Sequence, residues 1–195
     1  MGETILVTGA SAGFGQAICH RLVAEGHRVI GAARRIEKLQ ALQEELGEAF
    51  YPLQMDVTDP SQVDHALASL PKAWERIDVL VNNAGLALGI APAHEAEVAD
   101  WLIMIQTNII GLTYLTRQIL PQMVERNDGY VINMGSTAGT VPYPGANVYG
   151  ASKAFVKQFS LNLRADLAGK KIRVSNIEPG LCEGTEFSTV RFKGD

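Results

Sequence analysis

The most constraining stretch of the chain is Thr8-Gly9-Ala10-Ser11-Ala12-Gly13-Phe14-Gly15, a glycine-rich turn. The apolar run 4–8 precedes it and a helical pattern carrying Ile18, Leu22 and Val23 follows. Strand, glycine turn and helix in that order predict the opening of a parallel α/β sheet. Glycines at such a turn let the main chain bend tightly and approach a diphosphate, whose charge is met by amide N–H groups and the positive end of the helix. A plain strand-to-helix turn is the alternative. The spacing matches neither G-x-G-x-x-G nor the Walker pattern, and no Gly-Lys-Ser/Thr follows, which disfavours a nucleoside triphosphatase.

The rest of the chain keeps the same punctuation. Short β-branched runs at 4–8, 28–33, 49–54, 77–81, 130–134 and 172–177 read as strands, several of them nearly all apolar and therefore buried on both faces. Helical patterns at about 13–25, 35–47, 60–70, 98–126 and 147–168 separate them. With right-handed crossovers this gives a Rossmann-type, doubly wound parallel sheet, and 195 residues suit one domain, 1–195, with a single core. Ligands in such sheets bind beyond the carboxyl ends of the strands, so the residues that follow each strand carry the functional information.

Composition removes several classes of function. At 47% hydrophobic and 19% charged the chain is neither disordered nor fibrous. A net charge of −4 leaves no basic stripe for nucleic acid or an anionic membrane. Cys19 and Cys182 are far apart, and the four histidines show no ligand spacing, so neither a disulfide framework nor a metal site is expected. A reducing, cytoplasmic setting follows. No uninterrupted run of ~18 apolar residues occurs, and Leu6 stands where a myristoylation motif needs Ser or Thr, so membrane anchoring is disfavoured.

After the second strand, where a ribose hydroxyl would call for an acidic residue, the chain reads Ala32-Ala33-Arg34-Arg35. Two guanidiniums there can pair with a ribose 2′-phosphate through charge-assisted forks, so NADP is expected over NAD, with Arg34 the better placed. After the fourth strand comes Asn82-Asn83-Ala84-Gly85, a small amide-rich turn. Ser136 follows the fifth, and Tyr149 and Lys153 sit four residues apart, on one helical face.

Taken together, Thr8-Gly9-xxx-Gly13-x-Gly15, Asn82-Asn83-Ala84-Gly85, Asn108, Ser136, Tyr149-xxx-Lys153 and Pro179-Gly180 resemble the short-chain dehydrogenase/reductase family, in order and over most of the chain. Three inner segments, Gly135–Gly139, Asn147–Gly150 and Ile177–Gly180, are similar to its NADP-dependent 3-hydroxy acid (serine-type) dehydrogenase subgroup. So are two later ones, 184–188 and 191–195. The resemblance implies hydride transfer between an alcohol carbon and nicotinamide. Tyr149 is then the general acid/base, Ser136 a donor to the substrate oxygen, and Asn108 a helix-bending anchor for a proton-conducting water, with Lys153 beside them. Cofactor contacts are implied for Gly9, Ser11, Gly13, Phe14, Gly15, Arg34, Arg35, Asp56, Val57, Asn83, Ala84, Gly85, Tyr149, Lys153, Pro179, Gly180 and Thr185. An ammonium about 4 Å from a phenol, at an effective dielectric of ~20, is worth roughly 4 kcal/mol, or about three pK units. On that reckoning Lys153 brings Tyr149 close to neutrality.

Compared with the family pattern the chain ends early, so a final helix and strand are expected to be missing. The segment after Pro179-Gly180 supplies Arg191, expected to hold a substrate carboxylate and to close over the pocket as a lid. The two longest helices carry more apolar residues than one sheet face covers, which suggests a homo-oligomer, a tetramer by family analogy. A reductase of other carbonyl substrates and a non-catalytic NADP-binding protein remain as alternatives.

Overall fold

The computed structural model describes residues 2–180 together with 190 and 191. Strands β1 (Thr4–Thr8), β2 (Arg28–Ala33), β3 (Phe50–Gln54), β4 (Val79–Asn82), β5 (Gly129–Met134) and β6 (Ile172–Ile177) form one sheet in the order β3-β2-β1-β4-β5-β6. Every pairing is parallel. The order reverses between β1 and β4, which opens a crevice at their carboxyl ends. The helices are α1 (Gly13–Ala24), α2 (Ile36–Leu46), α3 (Pro60–Ala68), α4 (Val98–Ile105), α5 (Leu112–Arg126) and α6 (Asn147–Asp166).

Side-chain alternation builds the two layers. Ile5 and Val7 of β1 join Val29, Val79 and Val81 in a core that includes Cys19, Leu39 and Leu42 of α1 and α2. Leu6, one residue away, joins Ile30, Leu80 and Val131 in the other core, with Val63 of α3, Leu115, Ile119 and Met123 of α5, and Leu163 of α6. Both faces are covered, as the near-continuous apolar strands require. The helix signals are local. Asp59 caps α3 by accepting from Ser61 N and Gln62 N at 2.9 and 3.2 Å, with Pro60 at the first position. Asn127 closes α5 in the left-handed conformation, φ 53°.

Two sequence expectations shift. The fourth strand begins at Val79 rather than 77, because the Ile77 main chain is taken up by α5: its N–H donates to Gln122 Oε1 at 3.3 Å and its carbonyl accepts from Arg126. The expected helix 98–126 is continuous but changes winding at Gln106–Gly111, a π-helical stretch that turns Thr107 and Asn108 into the interior. Although no uninterrupted apolar run predicted it, Val98–Arg126 is long and apolar enough to cross a membrane by length and composition. Its Leu112, Leu115, Ile119 and Met123 are buried in the sheet-facing core. Val98, Leu102, Ile103 and Ile110 stay exposed.

A buried polar chain ties four elements together. Asn82 Nδ2 of β4 donates to Thr116 Oγ1 of α5 and to Asn133 Oδ1 of β5, each at 2.9 Å, and Asn133 Nδ2 donates to Ser160 Oγ of α6 at 2.9 Å. The Thr116 and Ser160 hydroxyls donate in turn to Leu112 O and Val156 O. All four side chains are buried. Replacing Asn133 with leucine leaves an Asn82 N–H without its acceptor. It should lower the unfolding free energy by about 1–3 kcal/mol, read as a fall in urea midpoint at constant slope. An unchanged midpoint would show that the chain of bonds adds nothing to stability.

Candidate functional site

The crevice is made by close main-chain packing where β1 ends. Gly9 has φ +67°, and a Cβ on Gly15 would lie 2.1 Å from Gly9 O, so both positions need glycine. The end of β4 is laced to the same point: Asn83 Nδ2 donates to Thr8 O at 2.9 Å, while Asn83 N and Ala84 N donate to Thr8 Oγ1 at 3.0 and 2.9 Å. Over these turns lies a cavity of about 800 Å³.

The lining follows the sheet order. On the β1–β2 side it includes Gly9, Ser11, Gly13, Phe14, Arg34 and Arg35, and next to β3 come Asp56 and Val57. Asn83, Ala84 and Gly85 line it beyond β4. On the β5–β6 side are Ser136, Tyr149, Lys153, Pro179, Gly180 and Arg191. Arg34 is exposed, whereas Arg35 is partly buried and donates from Nε and Nη2 to Ser11 Oγ at 3.3 and 3.1 Å. Asp56 turns its Oδ1 onto Thr58 N and Oγ1 at 2.9 and 2.8 Å. Gly15 and Asn108 stand behind the wall. Thr185 and Cys182, named from the sequence, fall outside the described residues, as does the proposed lid apart from 190 and 191.

Ser136, Asn108 and the pair Tyr149 and Lys153 come from three different parts of the chain, and the fold gathers them. Ser136 follows β5 and takes a hydrogen bond from Ala138 N at 3.1 Å, which starts a 3₁₀ turn, Thr137–Gly139. Tyr149 and Lys153 lie on the first two turns of α6, both buried. Asn108, held inward by the π stretch, accepts from Leu86 N and donates to Leu86 O at 2.9 Å each, and donates to Ser152 Oγ at 3.0 Å. Its amide thus fixes the loop after β4 against α6.

The electrostatics differ from the sequence expectation. Lys153 Nζ donates to the Met134 carbonyl at 2.7 Å and lies 5.9 Å from the centre of the Tyr149 ring. Burial strips water from the ammonium and lowers its pKa to about 8. Burial also pushes the Tyr149 phenol above its ordinary range, opposed by a hydrogen bond with Ser136 and by the charge of Arg191, while Tyr143 adds to the rise. The expected full lowering by Lys153 is therefore absent. Arg191 is the nearer cation to act on Tyr149.

The arrangement can move a proton at Tyr149 Oη while Ser136 Oγ supplies a second hydrogen bond at the same place. Sequence reasoning missed Tyr143, which also lines the cavity and accepts from Arg191 Nη1 at 2.9 Å. It lacked a local signature, because the contact is made by a loop. Trp101 donates its indole N–H to Asn147 Oδ1 at 3.1 Å and so ties α4 to the start of α6.

Residues 3–194 match the short chain dehydrogenase family. The NADP-dependent 3-hydroxy acid dehydrogenase YdfG of Escherichia coli (strain K12) is 61% identical over 191 residues, 98% of this chain and 77% of that protein. The serine 3-dehydrogenase of Rhizobium radiobacter is 54% identical over 195 residues, 100% of this chain and 78% of that protein. Among solved structures, the closed form of serine dehydrogenase complexed with NADP+ superposes with a TM-score of 0.97 at 61% identity, covering 98% of this chain and 77% of that one. The chain belongs to the short-chain dehydrogenase family.

Proposed function

We propose that the chain is an NADP-dependent dehydrogenase that interconverts a small 3-hydroxy acid, such as serine or 3-hydroxypropionate, and the matching semialdehyde. The observation that carries this is one continuous cavity that has Arg34 and Arg35 on the β1–β2 side and Ser136, Tyr149, Lys153 and Arg191 on the β5–β6 side. The activities of the similar proteins agree with it.

The residues fit the dinucleotide. The Gly9–Gly15 contact leaves no room for side chains where a diphosphate must approach the main chain, and the N-terminus of α1 opens there. Arg34 and Arg35 would meet a 2′-phosphate; no carboxylate stands at that position to take a hydroxyl. Lys153 would turn from Met134 O toward the ribose, and Pro179-Gly180 would wall the ring. Bound there, NADP supplies hydride exchange at the carbon bearing the hydroxyl. Tyr149 Oη takes the hydroxyl proton during oxidation and returns it during reduction, Ser136 Oγ holds the reacting oxygen, and Arg191 holds the carboxylate two carbons away.

The exposed apolar residues of the long helical rod, Val98, Leu102, Ile103 and Ile110, and those of α6, Phe155 and Leu161, support a homo-oligomer, with a tetramer as the favoured form. Cys19, a buried free thiol whose pKa burial raises to about 12, suits a cytoplasmic location.

Four outcomes test this reading. Arg34→Asp should shift the ratio of dissociation constants toward NAD by tenfold or more, since each charge-assisted bond is worth about 1.5–3 kcal/mol; equal binding of both cofactors by the unmodified chain would contradict the assignment. Tyr149→Phe, with cofactor saturating, should abolish NADP+ reduction by 3-hydroxypropionate while cofactor binding persists. Because oxidation needs the phenolate and reduction the phenol, oxidation in the unmodified chain should rise with pH and reduction should fall. Near-normal turnover in the variant would move the acid/base role elsewhere. Finally, light scattering should give a multiple of the chain mass, and Leu102→Glu with Phe155→Glu should reduce it.

A further inference from the structure

Tyr143 belongs to the loop between β5 and α6, next to the substrate side of the cavity. Arg191 Nη1 donates to its Oη at 2.9 Å, and the guanidinium carbon stands 5.3 Å from the Tyr143 ring centre and 5.6 Å from that of Tyr149. One cation therefore faces two tyrosines. Its main chain is fixed as well, since Gly89 N donates to Arg191 O at 2.9 Å. Arg191 Nε is buried and has no hydrogen-bond partner. With Nη1 committed to the phenol, Nε is a donor whose natural acceptor is a carboxylate oxygen, because a guanidinium engages carboxylates through paired N–H groups.

The chemistry of the holder matters. A carboxylate in place of Tyr143 would neutralise the guanidinium and compete with an anionic ligand. A phenol oxygen orients the fork and leaves its charge intact, while the ring face adds a cation–π attraction. Among the described residues Arg191 makes no ion pair. The 5.6 Å spacing to Tyr149 also suits a short ligand, since in a 3-hydroxy acid only two carbons separate carboxylate from hydroxyl.

We infer that Tyr143 is a substrate-positioning residue: it fixes the Arg191 fork, still charged, where the carboxylate of a 3-hydroxy acid must lie for its hydroxyl to reach Tyr149. This rests on the hydroxy-acid reading above. Tyr143 acts through Arg191, so its effect must be specific to a charged substrate and must depend on Arg191.

Steady-state kinetics with 3-hydroxypropionate and its neutral amide, cofactor saturating, provide the test in the unmodified chain, Tyr143→Phe, Tyr143→Glu, Arg191→Ala and the double variant Tyr143→Phe with Arg191→Ala. Tyr143→Phe should raise KM for the acid about tenfold with a much smaller change in kcat, lowering the acid-to-amide ratio of kcat/KM by about the same factor, the scale of one hydrogen bond to a charged group. Tyr143→Glu should lower that ratio further, because it pairs with the guanidinium. In the Arg191→Ala background, Tyr143→Phe should move the ratio less than about twofold. Equal losses for acid and amide in Tyr143→Phe, a Glu variant no worse than Phe, or independent effects of the two positions would each overturn the inference. An unchanged ratio in Arg191→Ala would instead remove the carboxylate site itself, and the hydroxy-acid reading with it.

Discussion

The lacing of β4 onto the end of β1 is the constraint from which the rest of the structure follows. Thr8 receives three hydrogen bonds from Asn83 and Ala84, and Gly15 packs so closely on Gly9 that only hydrogen fits between them. With these turns held low, the chain after β1 leaves toward α1 and the chain after β4 toward α4. The crevice between them cannot be filled by side chains from either. The cavity above it is thus a consequence of sheet topology, and each strand contributes its following turn in order.

Behind this crevice, polar groups are placed by burial rather than by exposed charge. The Thr116–Asn82–Asn133–Ser160 chain joins α5 to α6 through the sheet, and Asn108, swung inward by the π stretch, pins Leu86 and Ser152. These bonds set where α6 starts relative to β5, and therefore the distance between Ser136 and Tyr149. Desolvation dominates there: it raises the phenol of Tyr149 and lowers the ammonium of Lys153 to about 8. Ser136 and Arg191 oppose the rise at Tyr149. A buried lysine tied to a carbonyl is a weaker influence on the phenol than the spacing of four residues suggested.

The fold was largely legible because its signals are local. The apolar strand Thr4–Thr8 and the alternating strand Ile172–Ile177 read at once, and the glycine turn announced a parallel sheet. Errors fell where a distant group decided the outcome, as with Ile77, drawn off by Gln122 and Arg126. The cluster Ser136, Tyr149, Lys153 and Asn108 was legible through its ordered motifs, and all four come together in space. The Lys153 ammonium was misjudged because sequence spacing fixes the helical face but not the rotamer. Tyr143 was invisible because no periodicity links it to Arg191, 48 residues away. Only a folded loop brings them within a hydrogen bond.

A crystal structure of the Tyr149→Phe chain with NADP+ and 3-hydroxypropionate bears most directly on this arrangement. The C3 oxygen is expected about 2.6–3.2 Å from Ser136 Oγ and next to the ring edge at position 149, with the carboxylate paired to Arg191 and the 2′-phosphate to Arg34 or Arg35. A carboxylate bound away from Arg191, with the C3 oxygen beyond hydrogen-bond reach of Ser136, would contradict it.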